Sequence, residues 1–325
     1  KNYVYMIQRF GFIPTANRTY FLSRSQPPFF AAMVKLLASK PGRRAPSLTY
    51  LEYFPSLLAE YKFWMKGQRK LSSIDFMATN RVVAMPDGQV LNRYYDDKAT
   101  PRPESRREDI ETARNSRSAN KAKVYLDLRA GAESGWDFSS RWFDDPHDIE
   151  TIMTTDIVPV DLNCLLYELE MTIAHCYGVL RQAPLKKRFI RLAERRAESI
   201  RQYCWNEADG FFYDYNFRTG HQTSHATLAG VFPLYSGIAT KKQAKRVAEK
   251  YKDHVALVFR NYPIPSLHPN ARAAAAVAEA AGLQGKFWEM HDLLYTNQGA
   301  WSNARAKERT DVFSGYAKQL GLNVD

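Results

Sequence analysis

Apolar residues recur at helical spacing along most of this chain, and polar loops separate one such segment from the next. The segments that this spacing predicts as helices are 3–10, 29–37, 46–65, 125–132, 165–177, 185–203, 226–235, 271–281 and 285–295. Three short stretches indicate strands instead: 82–91, 205–215 and 254–260, the first two around Asp87-Gly88 and Asp209-Gly210 turns. Long amphipathic helices with brief strands predict a mainly α-helical architecture whose loops carry the chemistry.

The connections between these segments are of two kinds. Residues 114–123 are polar and interrupt any core pattern, which predicts a solvated linker. Residues 23–28 and 100–105 contain prolines that exclude regular helix, because a residue preceding proline is pushed towards extended backbone. Rigid polar loops of this second kind are typical places for binding residues.

The composition is that of a folded chain with an excess of positive charge. The 325 residues include 45% hydrophobic ones, enough to bury a core in one large domain or two ordinary ones. The formal net charge of +12 would by itself suit nucleic acid or an anionic surface. The basic residues are scattered over loops and over helix faces that also carry acids. We therefore interpret them as a solvated surface and expect no nucleic-acid partner.

The cysteines and the apolar runs bear on the compartment. Cys164, Cys176 and Cys204 show no C-x-x-C or metal-ligand spacing, which predicts free, partly buried thiols. Free thiols fit a reducing compartment without requiring one. No run of about 18 apolar residues occurs, so no membrane span is expected. The chain opens at Lys1 inside a predicted helix, and we expect further sequence upstream.

One aromatic stretch, residues 134–142, is a candidate sugar site. It places a single carboxylate, Asp137, between two tryptophans, with Gly135 leaving room for an approach to the backbone and Arg141 four residues beyond Asp137. Trp faces stack on sugar rings, Arg donates in a fixed fork, and a carboxyl group enclosed by aromatic surface can keep its proton and act as an acid. The alternative is a buried aromatic cluster with a structural Asp–Arg pair.

Five stretches in register carry a resemblance to a known family: residues 23–28, 92–97, 100–105, 134–142 and 157–163. They resemble, in that order, the interior of the trehalases of glycoside hydrolase family 37. The resemblance implies a partial (α/α)6 toroid of helix pairs around a central pocket. It also implies inverting hydrolysis of α,α-trehalose to two glucose molecules, without a metal or an organic cofactor.

The resemblance further implies roles for single residues. Asp137 matches the family's general acid. Positions that hold the two glucose units are matched by Arg24, Ser25, Gln26, Arg102, Pro103, Glu104 and Gly135. Thr15 stands where the family usually has Asn, and a hydroxyl replaces only part of an amide's hydrogen bonding. The residue types suit trehalose, which offers only hydroxyls and a bridging oxygen that one acid must protonate.

Two features of that family have no counterpart in this chain. One is an upstream Gly-Gly-Arg-Phe signature, and the other is a glycine-rich segment towards the C-terminus that carries the catalytic base. Inversion needs a second carboxylate about 6.5–9.5 Å from the acid. Glu104 and Asp161 are candidates for a substitute base, although Glu104 matches a binding position and Asp161 also suits a helix cap. A sugar-binding protein without turnover therefore stays open beside the enzyme.

A second resemblance begins after residue 251. Its motifs are Phe-Arg-x-Tyr-Pro at 259–263, His-Pro-Asn-Ala at 268–271 and the run 284–292. These resemble the inner section of a DsbA-like, thioredoxin-fold protein, which implies a short α/β fragment. No cysteine follows Cys204, so we expect this part to be redox-silent, and a thiol oxidoreductase is the third hypothesis. His268 and His291 have no third ligand nearby, so no metal site is expected.

The two resemblances predict two incomplete domains: a trehalase-like toroid over residues 1–252 and a DsbA-like fragment over residues 253–325. A toroid that lacks helices exposes the apolar faces that those helices would cover. We therefore expect low stability or self-association through exposed helix faces, unless the C-terminal part covers them. Trehalose is the expected small-molecule partner.

Overall fold

The computed structural model describes residues 1–40, 45–72, 77–251, 261, 263 and 268–324. Contacts divide the chain into two compact units, Lys1–Asp253 and His254–Asp325. The α-helices of the larger unit are α1 (Asn2–Phe10), α2 (Phe30–Ser39), α3 (Pro46–Trp64), α4 (Arg106–Asn115), α5 (Lys121–Ser134), α6 (Val160–Val179), α7 (Ala183–Tyr203), α8 (Phe232–Tyr235) and α9 (Lys241–Tyr251). The described chain is thus mainly helical, as predicted.

The centre of the larger unit is a helix pair, α6 and α7, joined by a tight connection in which Arg181 has a φ of +56°. Helices α2, α3 and α8 also pack against α6. Because α6 has neighbours on several sides, apolar side chains are buried all round it, among them Leu162, Leu165, Leu166 and Ile173. Helix α7 has one apolar stripe and one charged face, as expected for a helix with one side towards solvent.

Short strands connect these helices. They are β1 (Ala78–Thr79), β2 (Val82–Ala84), β3 (Val90–Asn92), β4 (Ile157–Val158), β5 (Trp205–Asn206), β6 (Phe211–Phe212), β7 (Tyr215–Asn216) and β8 (His221–Gln222). Strands β2 and β3 form an antiparallel hairpin, as do β5 and β6, so both predicted hairpins are confirmed. Gly88 and Gly210 in their turns have φ of +78° and +68°, which only glycine adopts freely. Strand β7 pairs with both β4 and β8.

Several predicted boundaries are wrong. Helix α4 continues to Asn115 and α5 begins at Lys121, so only 116–120 remain of the predicted linker at 114–123. Helix α4 escaped detection because it buries only Asp109 and Ala113, too few residues for an apolar pattern. The predicted helix 226–235 is a 3-10 turn, Leu228–Val231, followed by the single turn of α8.

The described part of the smaller unit consists of helices and the loops between them. It contains α10 (Ala271–Leu283), α11 (Phe287–Thr296), α12 (Gln298–Trp301) and α13 (Ala306–Gln319). Met290, Trp301 and Phe313 lie in its apolar core. Asn270 ties the helices together, since its amide donates to the carbonyls of Trp301 and Ala304. The two helices predicted here are confirmed, whereas the strand predicted at 254–260 lies outside the described residues.

The three cysteines are free and fully buried, more deeply than the sequence suggested. Burial raises the pKa of Cys176 to about 12 and that of Cys164 and Cys204 further above the ordinary value. None of the helices in the described ranges is long and apolar enough to cross a bilayer. Across the same ranges, no group of three or more His, Cys, Asp or Glu residues is arranged to hold a metal ion.

Candidate active site

The turn that carries Asp137 follows directly after α5. Gly135 ends the helix with a φ of +73°, and outside residues 134–136 no atom of the described chain lies within 4 Å of the point where a Cβ would be. Asp137 is exposed. The prediction that aromatic surface encloses this carboxyl is wrong, because Trp142 turns into the core. There the indole Nε1 of Trp142 donates to the carbonyl of Trp136 at 3.1 Å.

Arg141 is a fully buried cation and forms no pair with Asp137. Its guanidinium donates to Asp214 through Nε at 2.6 Å and to Asp161 through Nη2 at 2.6 Å. Burial alone would lower the pKa of Arg141, but the two carboxylates raise it well above the ordinary value. The prediction that Arg141 donates to a sugar, and the alternative that it pairs with Asp137, are therefore both wrong. Neither partner could be foreseen from the sequence, since Asp214 lies 73 residues and Asp161 20 residues from Arg141.

Asp161 lies in the first turn of α6, whose N-cap is Pro159, so it is not the cap that the sequence allowed. Its carboxylate is buried and bound to Arg141. The Asp161 carboxylate is therefore part of the core near the Asp137 turn and does not face solvent.

The loop with Arg24, Ser25 and Gln26 presents these three residues differently. The Arg24 guanidinium is 1% exposed, donates to Glu104 through Nη2, and has a buried Nε without a hydrogen-bond partner in the described chain. Ser25 is buried, and its hydroxyl donates to the carbonyl of Gln26 at 2.8 Å. Gln26 is exposed, and its amide donates to the carbonyl of Thr15 at 2.8 Å. Thr15 thus lies beside the same loop.

The second predicted loop, residues 100–105, is held in place by helix α4. Asp109 in α4 accepts from the Arg102 backbone N–H at 2.7 Å and from its Nη2 at 2.6 Å, which leaves Arg102 only 6% exposed. Pro103 is exposed, and the Glu104 side chain is 22% exposed while paired with Arg24. Helix α4, which the sequence reading missed, therefore fixes the position of this loop.

Contacts join the three predicted segments into one patch. Arg24 pairs with Glu104, and the Arg102 guanidinium lies 4.5 Å from the ring centroid of Phe138, the neighbour of Asp137. We call residues 24–26, 102–104 and 135–138 the site patch. Residues far apart in sequence thus meet at the turn that carries Asp137.

Glu133 is a residue that the sequence analysis missed and that holds two of these segments together. Its buried carboxylate accepts from the backbone N–H of Ser25 and of Tyr95, both at 2.9 Å, and from the guanidinium of Arg81. Burial raises the pKa of Glu133, and Arg81 opposes that shift. Glu133, in the last turn of α5, therefore fixes the loop of Arg24, Ser25 and Gln26 to the helix that leads into the Asp137 turn.

Asp96 and Arg129 form a second support beneath the patch. Arg129 donates to Asp96 at 2.9 Å, and its Nη1 and Nη2 reach the carbonyl of Thr100 and the hydroxyl of Ser23. Arg129 and Glu133 lie four residues apart on the buried side of α5. The sequence signal that could have identified Arg129 and Glu133 is their helical spacing as two charged residues within a segment that otherwise faces the core.

Comparison with solved structures defines the class of fold. The neutral trehalase Nth1 from Saccharomyces cerevisiae superimposes with a TM-score of 0.63 at 22% identity, over 99% of this chain and 67% of that chain. At this identity the similarity establishes the fold alone: a mainly helical architecture shared with a trehalase.

The chain belongs to the trehalase family, whose model matches residues 1–269. The periplasmic trehalase of Salmonella choleraesuis is 46% identical over 253 residues, which cover 78% of this chain and 43% of that protein. The putative periplasmic trehalase of Salmonella typhi is 45% identical over 254 residues, 78% of this chain and 44% of that protein. The chain therefore spans less than half the length of these curated relatives.

Proposed function

We propose that this chain hydrolyses α,α-trehalose to two glucose molecules with inversion, and that Asp137 is the general acid. The observation that supports this most strongly is the site patch, in which the segments matching the family's acid and sugar-binding positions lie in contact. Family membership and relatives named as trehalases support the choice of substrate.

The proposed reaction needs two proton transfers and no metal or cofactor. Asp137, in its protonated form, gives its proton to the bridging oxygen as the bond between that oxygen and one anomeric carbon breaks. A water attacks this carbon from the opposite face and loses a proton to a base. One glucose leaves with the bridging oxygen, and the other receives the oxygen of the water.

The same proposal assigns the sugar contacts to the site patch. Gln26, Pro103 and Gly135 present exposed atoms for direct contact. Arg24 and Arg102 are almost completely buried, and several of their donors are bound to carboxylates, so few donors remain for hydroxyls. Ser25 contributes through the position of its backbone, because its hydroxyl is already bonded within the loop.

A second candidate function is sugar binding without turnover, and the state of the two candidate bases favours it. Glu104 is paired with Arg24, and Asp161 with Arg141. A carboxylate that is bound to a guanidinium already has oxygen lone pairs engaged, so it is not free to take a proton from an attacking water. The enzyme hypothesis therefore requires Glu104 to leave its pair, or a carboxylate elsewhere in the protein to act on the water.

Glucose release from trehalose by the purified chain, measured for the wild type and for Asp137→Asn, tests both candidates. We expect the substitution to lower the rate by about 10²–10⁴-fold, the usual contribution of a general acid. Asp311→Asn, an exposed carboxylate in the smaller unit, is the matched control and should leave the rate unchanged. An undiminished rate in Asp137→Asn would contradict the assignment of the acid. No release, with trehalose still raising the Tm, would identify a sugar-binding protein.

We also propose a partial (α/α)6 toroid for residues 1–252 and a redox-silent DsbA-like fragment for residues 253–325. The central pair α6 and α7 and the coverage of the trehalase structure support the first part. The second part rests on the sequence motifs at 259–263, 268–271 and 284–292. An insulin-reduction assay should show no activity above background, and measurable reduction would contradict the redox-silent assignment.

A further inference from the structure

Phe138 occupies a backbone conformation that costs free energy. Its φ is +54°, in the left-handed region that a residue with a Cβ rarely adopts, because the Cβ comes too close to the backbone. Such a conformation persists only where the surrounding contacts impose it. The residue directly follows Asp137, so whatever fixes the backbone of Phe138 also fixes the turn that presents the carboxyl group.

The Phe138 ring makes two contacts, in addition to the hydrogen bond from the Ser139 backbone N–H to the Trp136 carbonyl at 3.3 Å that closes the turn. The Cε1 atom lies close to α5 at Gly131, 3.5 Å from the point where a Cβ of that residue would lie. The Arg102 guanidinium lies 4.5 Å from the ring centroid, and Asp109 holds that guanidinium in place through paired hydrogen bonds. The ring therefore contacts both a helix and a guanidinium that cannot move away without breaking its ion pair.

We propose that Phe138 is a positioning residue: its ring couples the turn carrying Asp137 to the loop carrying Arg102, Pro103 and Glu104. This inference rests on the proposed function, since Asp137 is the group positioned and the loop is its sugar-binding partner. In this arrangement the acid and the binding loop keep a constant relative position because they share one stacked contact. Reacting groups must be placed within a fraction of an ångström, and a shift of about 1 Å can cost 10²-fold in rate.

Three substitutions separate the ring from the backbone. Phe138→Tyr keeps the ring, Phe138→Leu keeps apolar volume without the ring, and Phe138→Gly removes the ring while accepting the positive φ without strain. Phe189→Leu, in the core of α7, is the control for the loss of a buried aromatic ring elsewhere. If Phe138→Leu does not fold, the glycine variant supplies the same comparison.

The first measurement needs no turnover: the ¹⁵N heteronuclear NOE of the Asp137 amide in the free protein. We expect a rigid value in the wild type, in Phe138→Tyr and in Phe189→Leu, and a mobile value in Phe138→Leu and Phe138→Gly. An Asp137 amide that stays rigid without the ring would overturn the proposal, as would a mobile one in Phe138→Tyr.

The second measurement is the split between kcat and KM. In Phe138→Leu we expect kcat to fall roughly 10–100-fold with KM changed less than about threefold, and Phe138→Tyr to restore kcat. An equal loss in Phe138→Tyr would overturn the proposal. If the wild type releases no glucose, the proposed function fails, while the NOE comparison still decides whether the ring fixes the turn.

Discussion

Glu60 is a carboxyl group buried in the core of the larger unit. It lies in α3, and neither of its oxygens has a hydrogen-bond partner in the described chain. Burial raises the pKa of Glu60 to about 8, far above the ordinary value, because a charged carboxylate without a partner is poorly solvated there. The folded protein therefore keeps this proton at a pH at which the unfolded chain releases it.

This retained proton predicts a stability that falls as pH rises. Below the unfolded pKa both states bind the proton and the stability is complete. Between that value and about 8 only the folded state binds it, so the free energy of unfolding falls by about 1.4 kcal/mol per pH unit. Glu60→Gln removes the titration, and its stability relative to wild type should increase steadily from pH 5 to pH 8.

Urea denaturation at several pH values measures this difference. Glu194→Gln, an exposed position on α7, is the control and should follow the wild type at every pH. A constant difference between Glu60→Gln and the wild type across the range would show that Glu60 does not carry the proton.

A buried polar network joins three helices and a hairpin. Arg196 in α7 donates to Glu170 in α6 through Nε and Nη2, and through Nη1 to the side chains of Asn92 and Asn163. The Asn92 amide in turn donates to the carbonyl of Trp64 at the end of α3 at 2.7 Å. All these groups are buried, so the network fixes the register of α6, α7 and β3 at one point.

Breaking one side of this network should destabilise the fold strongly. Arg196→Met leaves the Glu170 carboxylate buried without its cation, and we expect a loss of about 3–5 kcal/mol in the free energy of unfolding. The double variant Arg196→Met/Glu170→Met removes both charges and should regain a large part of that loss. Denaturant unfolding of the wild type, of the single variants Arg196→Met and Glu170→Met, and of the double variant gives the coupling; additive losses would contradict an interaction between the two groups.

At the element scale the sequence predicted what repeats locally. The stripe of α7 and the glycine turns of the two hairpins depend on residues a few positions apart, and both were found where expected. Helix α4 was missed because a polar helix gives no stripe; it packs through Ala113 and through the Arg102–Asp109 pair. The site segments could be recognised individually, but the roles of Glu133 and Arg141 depend on partners many residues away.

At the scale of the whole molecule, α2 has apolar residues on both sides. Phe30, Ala31 and Val34 face the core, while Met33 and Leu36 on the opposite side are 39% and 63% exposed. Phe29, at the start of the helix, continues the exposed stripe. Exposed apolar stripes of this kind favour association, and the self-association expected from the sequence stays a prediction.

Charging this stripe should reduce association. For Met33→Lys/Leu36→Lys we expect a smaller concentration dependence of the sedimentation coefficient than for the wild type. Leu283→Lys, at an isolated leucine that is 92% exposed in the smaller unit, controls for added charge and should change little. Identical sedimentation of the double variant and an associating wild type would exclude the α2 stripe as the contact.

The three buried thiols can report how often the protein opens locally. Cys164 and Cys176 lie in α6, and Cys204 follows the last residue of α7, so all three belong to the central helix pair. A thiol reagent attacks the thiolate, which burial suppresses, and therefore labels each of them only when that pair opens. Counting the added labels over time by mass spectrometry would measure the rate at which this helix pair opens, without any engineered probe.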